Sequence, residues 1–238
     1  MKKSFLSILA CLAMIAVSSC NKNDDILYSI STMGNVVGSQ FVCDGGDIYN
    51  IVKTDCAIKL DTMTRFLGYF DVMNKTEGKD DQYDVKLTGY AQPLLKDPIL
   101  KSTAIDSEIG NDPINLCQGW LSGGYMNMLF GLTLKAGSET NHLINLEMDD
   151  TRSNRDTLYF DLKHNGYGEV YGSSTTATSQ ILYTEGYASF PISRYLPSGQ
   201  TRIYVTITWY WYLNDGNAIT SKEVEKHSDT ALMTYAEN

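Results

Sequence analysis

Few residues in this chain could do chemistry, and their spacing narrows the choice. There are three histidines, His142, His164 and His227. None sits in an H-E-x-x-H pattern or near a C-x-x-C pair, spacings that put two ligands on one metal. His142 opens a strand on the face of Ile144, and His164 ends one at a turn, so structural places are expected for both. No G-x-S-x-G elbow raises a serine nucleophile. Gly166-Tyr167-Gly168 with Gly172 is one residue too long for a dinucleotide loop, and no helix follows it. Carboxylate pairs stand at Asp44/Asp47, Asp80/Asp81 and Asp149/Asp150, all in turn-like sequence. They offer hard oxygen ligands suited to Ca²⁺, but none has an EF-hand spacing, and acidic solvated turns account for them. These patterns assign no catalytic residue, metal or cofactor.

Tyr204, Tyr210 and Tyr212 with Trp209 and Trp211 could form a sugar-stacking platform. A strand apolar or aromatic on both faces is more simply a central core strand. Asp61-Thr62-Met63, Asp156-Thr157-Leu158 and Asp229-Thr230-Ala231 resemble the Asp-Thr-apolar O-glycan acceptors of exported bacterial proteins. This marks Thr62, Thr157 and Thr230 as candidates.

The five cysteines divide unevenly. Cys11 lies in the apolar run at the N-terminus and Cys20 ends it. Cys43 and Cys56 could close a 14-residue loop, counted inclusively, as a disulfide contributing roughly 3 kcal/mol. The alternative is that both pack as small apolar thiols. Cys117 has apolar neighbours and no nearby His or Lys to lower its pKa, so it is expected buried rather than reactive.

Lys2 and Lys3, an apolar run over residues 5–17 and small residues before Cys20 describe a secretory signal peptide over 1–19. The run is shorter than the roughly 20 residues a membrane-spanning helix needs. Val17-Ser18-Ser19-Cys20 resembles a lipobox, whose cysteine is acylated. That makes the membrane a partner through a lipid anchor on Cys20. The polar stretch 20–25 reads as a tether, similar to the acid-rich export tract of surface-displayed lipoproteins. An outer-membrane lipoprotein on the cell surface is expected, with a periplasm-facing anchor as the alternative. Without residues 1–19 the chain has 219 residues, and losing Lys2 and Lys3 moves its net charge from −9 to −11. Such a balance repels nucleic acid, whose binding rests on clustered Lys and Arg.

The elements that must carry these residues are short strands. Over residues 26–100, strand patterns at 26–32, 39–43, 48–52, 65–73 and 82–91 are separated by turns such as Asp44-Gly45-Gly46-Asp47. Five short strands predict a small barrel, OB-like or SH3-like. Residues 101–112 read as a linker. From 113 to 238 the alternation is cleaner: Met126, Met128, Phe130, Leu132 and Leu134 share one face. Ile144, Leu146 and Met148, then Ile203, Val205, Ile207, Trp209 and Trp211, do the same. Seven or eight strands with regular turns predict an antiparallel β-sandwich, and no helical period persists. The fold class expected is all-β.

These residues resemble the NigD-like family of bacterial lipoproteins. The densest match is Ile109-Gly110-Asn111-Asp112-Pro113-Ile114, Trp120 and Gly123-Gly124-Tyr125-Met126-Asn127. It continues through Phe130-Gly131, His142-Leu143-Ile144-Asn145-Leu146 and Leu158-Tyr159-Phe160. It closes with Leu162-Lys163-His164-Asn165, Tyr167-Gly168 and Tyr187-Ala188-Ser189-Phe190. A looser match in the N-terminal half includes Tyr83-Asp84-Val85-Lys86-Leu87 and Leu95-Lys96-Asp97. The resemblance implies an N-terminal OB-like domain followed by a C-terminal β-sandwich. The family name comes from a bacteriocin gene cluster, which implies an immunity role but no activity. The expected function is that of a non-enzymatic envelope lipoprotein binding an unknown protein or glycan, with surface glycan capture as the alternative.

Overall fold

The structure is a computed structural model that describes residues 26–137, 140–171, 181–215 and 218–234. The expected signal peptide and tether, Cys20 and the Gly/Ser/Thr-rich residues 172–180 lie outside the described residues. The chain divides into two units between Pro93 and Leu94.

The first unit is a closed barrel in the order β1-β2-β3-β5-β4, with β4 pairing back onto β1. Its strands are β1 (Tyr28–Val37), β2 (Gln40–Cys43), β3 (Ile48–Thr54), β4 (Arg65–Lys75) and β5 (Gln82–Ala91). β3 and β5 run parallel and the other pairs antiparallel. Period-two alternation sends Phe41, Tyr49, Phe66, Phe70, Val72, Val85 and Leu87 inward, where Phe41 packs 4.5 Å from Phe66 and 5.0 Å from Phe70, centroid to centroid. A buried ion pair joins this barrel across its strands. Arg65 donates to both Asp44 oxygens, at 2.8 and 2.6 Å, and to Asn35 Oδ1 at 3.2 Å. The two side chains are 0% and 5% exposed. It fixes the turn after β2 to the start of β4.

The second unit is a sandwich of two sheets. One has the order β14-β13-β11-β10-β7 and the other β6-β12-β9-β8. Its strands are β6 (Leu94–Leu95), β7 (Ile99–Leu100), β8 (Asn115–Ser122), β9 (Tyr125–Lys135), β10 (Leu143–Met148), β11 (Thr157–Asn165), β12 (Ile181–Pro191), β13 (Arg202–Asp215) and β14 (Ala218–Thr234). The predicted alternating faces form one core from Met126, Met128, Phe130, Ile144, Leu146, Phe160, Phe190, Val205 and Ile207.

The all-β class and the barrel-then-sandwich order agree with the sequence, with three refinements. Within the sandwich, β11–β13, β7–β10 and β6–β12 pair parallel. β12 crosses to the other sheet between β11 and β13, so those two return in the same direction. The expected boundary at residue 100 moves back to 93, because β6 and β7 find their partners in the sandwich. Residues 101–112 are not a free linker: they hold a 3-10 turn and the short helix α1 (Asp106–Ile109), with Ile109 buried.

Candidate functional site

Two of the histidines come together. Ile144 pairs with His164 across β10 and β11, which leaves His142 just beyond the strand end, beside the same ring. His142 Nδ1 lies 2.9 Å from His164 Nε2, and His164 Nδ1 lies 2.9 Å from the Pro113 carbonyl oxygen. A carbonyl only accepts, so His164 Nδ1 carries a proton and its Nε2 accepts from His142 Nδ1. His142 Nε2 is then the lone-pair nitrogen; it is buried and makes no hydrogen bond among the described residues. Burial pushes His164 down to about 4, with the neighbouring His142 adding to the shift against the Pro113 bond. Burial also lowers His142, opposed by Glu169 and Asp112. Both rings are therefore neutral at pH 7.

Backbone bonds lock the relay in place. The Asp112 N–H donates to the His164 carbonyl at 2.8 Å, and Asp112 Oδ2 accepts from the Gly166 N–H at 2.7 Å. Asn165 Nδ2 donates to the Glu108 carbonyl at 3.0 Å, and Lys163 Nζ to Asn111 Oδ1 at 2.7 Å. Gly110 has φ +72°, and a Cβ there would lie 2.5 Å from the His164 carbonyl oxygen. The arrangement ties residues 108–113, which lead into β8, to the end of β11; the two histidines are bonded to each other and the Asp112 carboxylate to the Gly166 N–H.

The other candidates are scattered. Cys43 and Cys56 are both free thiols, which corrects the disulfide expectation. Cys43 bonds through its N–H to the Asp47 carbonyl before β3, whereas Cys56 follows the far end of that strand. Seven residues of strand rise about 23 Å, well beyond the roughly 7 Å Cα limit for a bridge. Burial among the barrel aromatics pushes the Cys43 thiol up to about 12. Cys117 is half-buried, with Sγ 3.3 Å from Tyr183 Oη, and burial raises its pKa. Thr62 is exposed in a 3-10 turn, donating to the Lys59 carbonyl at 2.8 Å. Thr157 is half-buried at the start of β11, and Thr230 is exposed on β14, 2.9 Å from Thr206 Oγ1.

The carboxylate pairs also have structural partners. Asp44 holds Arg65, and Asp80 meets Lys75 at 3.1 Å. Asp149 accepts from Lys101 at 2.8 Å and from Thr151, while Asp150 accepts from Ser102. Trp209 and Trp211 are buried in the core, as expected of a central strand, and Tyr204 is exposed. Among the described residues no group of three or more His, Cys, Asp or Glu is placed to share a metal.

A row of polar side chains on the outer wall of the barrel had no sequence signal beyond outward parity. Gln40 Nε2 and Gln82 Nε2 donate to Asn50 Oδ1 at 2.9 and 3.0 Å. Asn50 Nδ2 donates to Asp84 Oδ1 at 3.1 Å and to Thr76 Oγ1 at 3.4 Å.

Residues 98–222 match the NigD-like C-terminal beta sandwich domain, a span that holds the whole histidine relay. The chain belongs to the NigD-like family. Solved structures share its two-part fold at low identity. A candidate toxin-related protein of Parabacteroides distasonis is 20% identical with a TM-score of 0.60, over 85% of this chain and 93% of its own. A NigD-like immunity protein of Bacteroides caccae is 18% identical with a TM-score of 0.58, over 84% and 90%. A candidate lipoprotein of Bacteroides fragilis is 14% identical with a TM-score of 0.57, over 87% and 98%. No curated protein matches the chain. In this NigD-like chain Asp112, Pro113, His142, His164 and Gly166 are joined by hydrogen bonds, with Gly110 packed against the His164 carbonyl, so the densest motif of the sequence is the latch of the sandwich.

Proposed function

We propose that this NigD-like protein is a non-enzymatic lipoprotein of the cell envelope, held on the outer membrane through an acylated Cys20 and working by binding. The observation that carries the reading is the state of its acid–base groups. His142, His164 and Asp112 are bonded within the fold, which leaves them structural work rather than catalysis. The lipobox-like Val17-Ser18-Ser19-Cys20 supports the anchor, as does the likeness to a candidate lipoprotein. Two or more acyl chains hold a protein stably where one does not. The acid-rich stretch 20–25 supports display on the cell surface. The likeness to an immunity protein supports a shielding role against a toxin as one form of binding, and deletion of the gene without a change in toxin sensitivity would remove that form. The anchor is tested by labelled palmitate in the native host. Wild type should take up label and partition with membranes, and Cys20→Ala should do neither. A Cys20→Ala protein that stays membrane-bound would overturn the anchoring.

A further inference from the structure

The barrel closes in the order β1-β2-β3-β5-β4. In barrels of this OB connectivity, the face of the second and third strands, with the loops β1–β2 and β4–β5, is where oligosaccharides and oligonucleotides bind. In this chain that face is the polar row centred on Asn50. Gln40 comes from β2, Asn50 from β3, Gln82 and Asp84 from β5, and Thr76 from the β4–β5 loop. We propose that this face is a binding site for a neutral oligosaccharide, with Gln40, Asn50, Gln82 and Asp84 as its hydrogen-bonding row. The proposal rests on the binding role above and names its ligand class.

Four features support this assignment. Asn50 accepts two bonds through Oδ1 and donates two through Nδ2, so the centre of the row is held before any ligand arrives. Such preorganisation lowers the ordering cost of binding. The Gln40 and Gln82 carbonyl oxygens, one N–H of each amide and Asp84 Oδ2 make no hydrogen bond among the described residues. They thus present alternating acceptors and donors across strands about 4.8 Å apart. A sugar hydroxyl donates and accepts at once, which suits an amide better than a point charge.

Beside the row, Val42 and Ile48 are paired across β2 and β3, point away from the barrel core and are half-buried. They offer an apolar surface to the C–H face of a ring. The surroundings decide the charge of the ligand. Glu77 and Asp81 are exposed in the β4–β5 loop beside Lys79, and Asp84 stands within the row, so the remaining acidic excess repels a phosphate or uronate polymer. Lys75 and Lys86 are paired with Asp80 and Asp55, which leaves the amide row itself facing a neutral ligand.

Affinity electrophoresis of the mature chain through gels containing dextran, mannan, galactomannan, laminarin or xyloglucan tests the site, with alginate and polylysine as charged contrasts. Wild type should be retarded in at least one neutral gel. Both N50A and the double variant Q40A/Q82A should weaken that retention about tenfold or more. If N50A fails to fold, Q40A/Q82A decides, because its two side chains lie outside the barrel core. No retardation in any neutral gel, retention unchanged in folded Q40A/Q82A, or retention by alginate or polylysine alone would overturn the site. Release of reducing ends from the same polymers would instead strike the non-enzymatic role and leave the assignment of the row to the variants.

Discussion

Replacing His164 by glutamine should flatten the pH dependence of the sandwich's stability between pH 7 and 5. The ring is fully buried and its pKa is pushed down to about 4, mainly by burial. In the unfolded chain it returns to its ordinary value of 6.5. As pH falls through 6.5 the unfolded state takes up a proton that the folded state refuses. Stability is therefore fully present above 6.5 and is lost as pH falls towards 4. With one unit worth about 1.4 kcal/mol, His164 alone removes about 2 kcal/mol between pH 7 and 5. His142 is lowered as well and adds in the same direction. Asp149 is depressed to about 2, so its stabilisation is lost below the ordinary carboxylate range and outside this window. Trp120, Trp209 and Trp211 are the chain's three tryptophans and all belong to the sandwich. Urea unfolding followed by tryptophan fluorescence therefore reports that unit alone. His164→Gln should be less stable at pH 7 because the Pro113 carbonyl loses its partner, yet show a shallower slope. The same slope in wild type and variant would refute the buried neutral pair.

Four other outcomes follow from the geometry. Asp44→Ala strands the buried Arg65 guanidinium and should cost the barrel about 3–5 kcal/mol, whereas Asp44→Leu with Arg65→Met should recover most of it; hydrogen exchange of β1, β2 and β4 measures both. Gly110→Ala forces a Cβ into a left-handed turn and against the His164 carbonyl, and should cost at least about 1–3 kcal/mol in the same urea assay. Iodoacetamide should label Cys56 in the folded protein and Cys43 only on unfolding; a linked Cys43–Cys56 peptide under non-reducing digestion would contradict the opposite-ends geometry. If the exposed Thr62 and Thr230 carry O-glycans, the intact mass of the native protein will exceed the polypeptide and the proposed acyl anchor together, and Thr→Ala at both will remove the excess.

Alternation carried most of the fold into view. The even-numbered Met126–Leu134 face and the odd-numbered Ile203–Trp211 face lie in the core as their period demands. The register across strands was hidden, because it depends on which strands pair, and period two says nothing about partners. His142 and His164 each looked like an ordinary strand end, and only the Ile144–His164 pairing makes them neighbours. Gln40, Asn50, Gln82 and Asp84 were visible only as outward positions on three strands. Cys43 and Cys56 were close in sequence and looked bridgeable, yet an extended strand between them sets them far apart. β6 and β7 are only two residues each, too short to show a period, which is why periodicity alone does not mark the boundary at residue 93.

Those two short strands bear on the order in which the chain can fold. β6 and β7 come early, but their partners are late: Leu94 waits for Ala188 and Ile99 for Glu147. The barrel ladder, by contrast, is complete once Ala91 has emerged. As the chain emerges from N to C the sandwich must hold two edges open for tens of residues, and closing such long loops is slow. Its last parallel pair, β11 with β13, forms only after Tyr204 and the residues beyond it have emerged. The order of strands along the chain therefore makes the sandwich the late-folding unit, and the one whose strand edges stay unpaired longest during synthesis.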